Sequence, residues 1–202
     1  MPGAELHLHL EGSLEPATLC ELDPTVTPEE VSRRYRYRDF PQFIESYLWV
    51  IERLRRPQDY ALAARRLLER LEREGTRYAE ITLSAAVIMW RGQDLDATFE
   101  AILAECEESP VETHWIMDSV RQWGAEWAQR TAETAARYAG KGVVGFGIGG
   151  NEQLGPVEWF DGVFRYARDH GLRLTIHAGE TAGPESVRNA LRLGAERIGH
   201  GI

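Results

Sequence analysis

Six short apolar runs, separated by helix-length segments, constrain this chain more than any other feature of it. The runs are residues 5–10, 78–83, 113–120, 143–148, 172–177 and 197–202. Between them Ile44, Tyr47, Leu48, Ile51 and Leu54 recur at helical spacing, and Leu62, Leu67, Leu68 and Leu71 repeat the pattern up to Gly75. Residues 125–139 are Ala-rich with one polar face, and Pro184 and Gly194 bracket a further helix. Strands alternating with helices at this spacing predict a parallel sheet with helices packed outside it. Six such βα units, with histidines on the first strand, predict an α/β fold: a (β/α)8 TIM barrel in one domain over residues 1–202, C-terminally incomplete. An open doubly wound sheet is the alternative, but no Gly-rich GxGxxG loop follows the first strand. A barrel needs two more strands to close, and an open six-strand sheet exposes its edges. The sequence is therefore expected to be part of a longer protein.

Composition narrows the partners. A net charge of −9 would repel a phosphate backbone, so no nucleic acid is expected. No run approaches the ~18 apolar residues of a membrane span, and the N-terminus has neither a basic start nor an apolar core, so no membrane is expected either. Cys20 and Cys106 stand alone, which fits a reducing compartment and predicts a cytoplasmic protein. Oligomeric state is not legible.

His7 and His9 lie two apart on a strand, and such side chains share a face. Leu6, Leu8 and Leu10 then take the opposite face, toward the helix layer. Two imidazoles fill a core poorly but hold a divalent metal well. A hydrogen-bonded histidine pair at a strand end is the structural alternative. The fifth run ends His177-Ala178-Gly179-Glu180. It offers a third ligand at a C-terminal strand end, where barrel active sites lie. Glu180, just beyond, is placed to shuttle a proton; a carboxylate stabilised by a helix dipole is its bland reading. His200 ends the sixth run between glycines, suited to orient a metal-activated nucleophile rather than to ligate. The fourth run ends in glycines and supplies no Lys, His or Cys to bridge a second metal, so one metal per chain is expected. Its glycines leave backbone N–H groups available to a flat base. The HxE and PCxxC set of the other zinc deaminases is absent.

These motifs, AELHLHLEGSLEP, FIESYLWVIERLRRPQDY, YAEI, GFGIGGNE, HAGE and ERIGHGI, appear in the order of the adenosine deaminase family of the amidohydrolase superfamily, which the chain resembles over nearly its whole length. The resemblance implies a barrel with one zinc, held by His7, His9 and His177, and a small-molecule purine nucleoside substrate. It implies that Glu180 gives a proton to the purine N1, that His200 assists the attacking hydroxide, and that the Gly150 N–H meets the purine N3. Ammonia leaves C6, giving a 6-oxo product. The chain departs from the family at Asn151, where Asp is usual, and it ends before the family's paired strand-eight aspartates. One of those completes the zinc shell, so the 202 residues alone are expected to bind metal weakly and turn over poorly.

Glu11, in HLHLEG, suggests a different fit at the sugar end from the HLDG of adenosine-specific members. With SYLWVIERL and DSVRQWG, the sequence looks nearest the branch that acts on 6-amino-6-deoxyfutalosine on the route to menaquinone. Adenosine or adenine deamination is the alternative. Arg121 is a candidate contact for an anionic substrate tail, against a structural salt bridge; Trp90 and Trp123 are candidate mouth residues, against simple packing. Two further readings stay open: a barrel hydrolase cutting an amide, lactone or phosphoester, and a remnant without catalysis.

Overall fold

A computed structural model describes residues 3–202. The six strands are β1 (Gly3–His9), β2 (Thr76–Leu83), β3 (Glu112–Val120), β4 (Val143–Gly149), β5 (Arg173–Ala178) and β6 (Arg197–His200). They form one sheet in chain order. A doubly wound sheet reverses its strand order at a switch point. No reversal occurs here, so the six βα units follow the winding of a (β/α)8 barrel.

The chain divides into two compact units, 1–79 with 93–112, and 80–92 with 113–202. The first holds β1, the start of β2 and five helices: α1 (Pro16–Leu22), α2 (Pro28–Arg34), α3 (Phe40–Ile51), α4 (Pro57–Arg73) and α6 (Leu95–Glu107). A proline in the first turn opens α1 to α4, where a missing N–H costs nothing. Thr27 and Asp39 cap α2 and α3 by accepting the Glu30 and Gln42 N–H groups. On α4 the buried stripe Tyr60, Ala63, Ala64, Leu67, Leu68 and Leu71 recurs at helical spacing. It packs on α6, which buries Phe99 and Ile102, and Arg65 pairs with Glu105 between the two helices through both carboxylate oxygens, at 2.6 and 2.7 Å. The strand alternation assigned Leu6, Leu8 and Leu10 to a covered face. Only Leu10 is buried, and Leu6 is 41% exposed. The reason is position: β1 stands at one end of the strand order.

The second unit holds the end of β2, then α5 (Ala85–Trp90), β3, α7 (Ala125–Arg137), β4, α8 (Asp161–Asp169), β5, α9 (Gly183–Arg192) and β6. Pairs β3–β4, β4–β5 and β5–β6 are parallel. One face carries Met117, Phe146, Ile148, Leu174 and Ile176, all buried, with Phe146 against Phe164 of α8 at 6.1 Å. The other carries Ile116, Asp118, Gly145, Gly147, Thr175, His177 and Gly199, aligned by register. Arg197 of β6 pairs with Glu80 of β2. Four strand steps of ~4.8 Å would hold these residues ~19 Å apart in a flat sheet, so the sheet of this unit is curled.

The glycines of β4 are set by packing. A Cβ on Gly147 would stand 2.8 Å from the Thr175 carbonyl oxygen, and one on Gly145 3.1 Å from that of Arg173. We expect Gly147→Ala to lower stability by ~1–3 kcal/mol, read as a shifted urea midpoint at constant slope.

Candidate metal centre and proton-transfer groups

In the first unit, His7 and His9 stand side by side, as alternation on β1 demands, with ring centroids 5.6 Å apart. A 3-10 turn, Glu11–Ser13, follows immediately. Ser13 Oγ donates to the His9 carbonyl at 2.7 Å, which fixes the strand end. Glu11 is 1% exposed and accepts from the Tyr47 hydroxyl at 3.3 Å. Tyr47 comes from α3 and lies against Gly12, where a Cβ would make ordinary contact with the Tyr47 ring and with His9 Cβ, at 3.6 Å from each.

In the second unit, His177 sits near the end of β5 and is 6% exposed. Its Nδ1 lies 3.2 Å from the Ile148 carbonyl. Donation from Nδ1–H to that oxygen puts the ring's lone pair on Nε2, the arrangement a metal ligand needs. Gly149 of the neighbouring strand makes room. A Cβ there would stand 3.6 Å from His177 Nδ1 and 3.3 Å from Asp118 Oδ2.

His200 is the one non-glycine residue with positive φ among those described, at +72°. Register pairs it with Ala178, on the helix-facing side. The left-handed backbone breaks that alternation and turns the ring toward His177, with centroids 5.3 Å apart. Its Nε2 lies 3.5 Å from Glu180 Oε2. Burial pushes the Glu180 carboxyl above the ordinary glutamate range; His200 opposes this, Glu152 adds to it and Arg121 opposes it. A carboxyl whose pKa is raised keeps its proton to higher pH than an ordinary glutamate, which suits acid catalysis.

Gly150 has φ +96°, a conformation that favours glycine. The Gln122 side chain lies against it and accepts the Asn151 N–H at 3.1 Å. Asn151 Oδ1 accepts the Gln153 N–H at 3.0 Å. That contact needs only a side-chain oxygen, which an aspartate supplies equally.

Arg121, a candidate for an anionic substrate tail against a structural salt bridge, is 0% exposed, and its guanidinium donates to the Gly155 carbonyl at 3.2 Å and to the His177 carbonyl. None of the cation faces outward. Trp90 is 60% exposed and stacks on Trp123 at 5.4 Å. Sequence reasoning gave Glu152 no role. It is buried, and its carboxylate accepts from the Gly179 N–H at 2.9 Å, the Thr181 N–H at 2.7 Å and the Ser186 hydroxyl. Burial alone would raise its pKa; these donors and Arg121 outweigh burial and hold it below the ordinary value.

The chain belongs to the adenosine deaminase family, whose model matches residues 2–202. It is 39% identical to an aminodeoxyfutalosine deaminase of Streptomyces avermitilis, covering 100% of this chain and 60% of that protein. It is 34% identical to an adenine deaminase of Mesorhizobium japonicum, covering 98% of this chain and 64% of that one. The crystal structure of an adenine deaminase from Arthrobacter aurescens superposes with a TM-score of 0.88 at 29% identity, covering 100% of this chain and 65% of that one. The chain thus spans less than two thirds of the length of each.

Proposed function

We propose that the chain carries the metal-binding and proton-transfer residues of a zinc-dependent deaminase that releases the 6-amino group of an aminopurine as ammonia. The observation that carries this reading is the histidine pair of β1, His7 and His9, side by side with ring centroids 5.6 Å apart, in a chain whose family model matches residues 2–202; we assign His177, at the end of β5, as the third ligand. Neutral imidazole suits zinc, and the hydrogen bond from His177 Nδ1 to Ile148 supports metal binding through the other nitrogen. Zinc would supply Lewis acidity that makes water a nucleophile near neutral pH.

The chain's own residues supply the rest. Glu180 holds a proton for the ring nitrogen next to the reacting carbon. His200, beside it, accepts and orients the proton of the attacking water. The Gly150 N–H fixes the far edge of the purine. Glu11 lies at the sugar end.

As substrate we favour 6-amino-6-deoxyfutalosine, on the route to menaquinone, supported by the 39% identity to the Streptomyces protein. Adenine is the second reading, supported by the Mesorhizobium and Arthrobacter relatives. We place the reaction in the cytoplasm. No helix among the described residues is long and apolar enough to cross a membrane, and Cys20 and Cys106 stay as thiols. Zinc-loaded protein incubated separately with aminodeoxyfutalosine, adenosine and adenine should release ammonia fastest from the first. Equal or faster turnover of either of the others would overturn the substrate assignment.

A further inference from the structure

We propose that Arg121 and Glu152 are positioning residues: a buried brace that sets the backbone from His177 to Thr181, and with it the aim of His177 and Glu180. The aim matters through the deaminase reading above; the brace itself rests on geometry. Arg121 stands just after β3 and Glu152 just after β4, the two strands that precede β5 in the sheet order. The Arg121 guanidinium donates to the carbonyl of His177. The Glu152 carboxylate takes the N–H of Gly179 at 2.9 Å on one oxygen and that of Thr181 at 2.7 Å on the other. Those two amides belong to the residues on either side of Glu180, so both neighbours of the proton donor are held by one charge. The Ser186 hydroxyl, from the first turns of α9, adds a further donor to the oxygen that takes Gly179.

The remaining contacts lock the brace in place. A second Arg121 nitrogen donates to the Gly155 carbonyl at 3.2 Å, and residue 155 can approach because it is glycine; a Cβ there would stand 2.7 Å from the Arg121 backbone. Gly179 has φ +79°, and a Cβ on it would meet Val187 Cγ2 at 2.8 Å. The turn carrying Glu180 therefore has little freedom of its own, and charged hydrogen bonds hold what remains. Neither Arg121 nor Glu152 reaches outward, with exposures of 0% and 4%. Both act through the backbone of the residues they hold, not on a substrate.

The test is amide hydrogen exchange, resolved by residue, on the chain and on Glu152→Gln. Loss of the charged acceptor should speed exchange at Gly179 and Thr181 by ~10-fold or more, with Leu174 and Ile176 of β5 unchanged. Unchanged exchange at Gly179 and Thr181 overturns the brace. If Glu152→Gln does not fold, Ser186→Ala serves instead, with a rise of about threefold expected at the same two amides and no rise counting against the proposal. In the zinc-loaded enzyme, Glu152→Gln should keep its zinc and its KM while kcat falls ~10- to 100-fold, because the acid is misplaced rather than removed. A KM rise with kcat unmoved would overturn the positioning role. The exchange measurement needs neither zinc nor turnover. A parent that deaminates nothing, yet loosens at these two amides in the variant, would sink the deaminase reading and support the brace.

Discussion

Replacing His177 by alanine is expected to strip the protein of zinc. The His177 ring is the most buried of the three. It is 6% exposed, its Nδ1 lies 3.2 Å from the Ile148 carbonyl, and its own carbonyl is held by Arg121. The other two rings sit on β1, where His7 is exposed and His9 half-buried. Without His177, two imidazoles on an end strand remain, and two neutral ligands rarely retain zinc against solvent. Loss of a hydrogen bond behind a ligand already costs ~10–100-fold in affinity, so loss of the ligand itself should cost more than ~100-fold. Zinc affinity, measured by titration against a competing chelator, should fall more than ~100-fold from the parent to His177→Ala. A variant that binds zinc as tightly as the parent would remove His177 from the site.

The ligand pair on β1 was legible because a strand has a period of two, and the period alone puts His7 and His9 on one face. The same rule failed one layer away. It assigned Leu6 and Leu8 to a covered face, but cover depends on what packs there, which alternation does not encode. It failed again at His200, where register points the side chain away from His177 and only the positive φ turns it back. The β4 glycines read as a surface for a flat base, yet Gly145 and Gly147 answer to the carbonyl oxygens of Arg173 and Thr175. Glu152 was invisible for a related reason. The amides it binds lie 27 and 29 residues further along, and a backbone N–H leaves no signature in a sequence. Arg121 reads from sequence either as a ligand contact or as a structural charge, and nothing in the sequence shows that its acceptors are two backbone carbonyls. Helix α6 follows the same helical rule, with Leu95, Phe99 and Ile102 at helical spacing behind the Asp94 cap.

The second large effect is expected at Glu180. Glu180→Gln should keep its zinc and lose ~10²–10⁴-fold in rate, the range for removing a positioned general acid. Glutamine preserves the shape and can still donate one hydrogen bond, so KM should move little; what it cannot do is release a proton. The pH dependence carries the sign. Burial, and then Glu152, raise the Glu180 pKa against the pull of His200 and Arg121. An acid must be protonated to act, so the Glu180-dependent rate should be full below the raised value and decline as pH rises through it. In Glu180→Gln that limb should vanish from the plot of kcat/KM against pH. Stability should move the opposite way. A glutamate whose folded pKa lies above its unfolded value stabilises the fold only while protonated, and that contribution is lost as pH rises through the raised value. Above the raised value the charged, half-buried carboxylate is a burden, and there Glu180→Gln should raise Tm while it lowers activity. A variant that gains stability and keeps its full rate would show that Glu180 is buried for some purpose other than moving a proton.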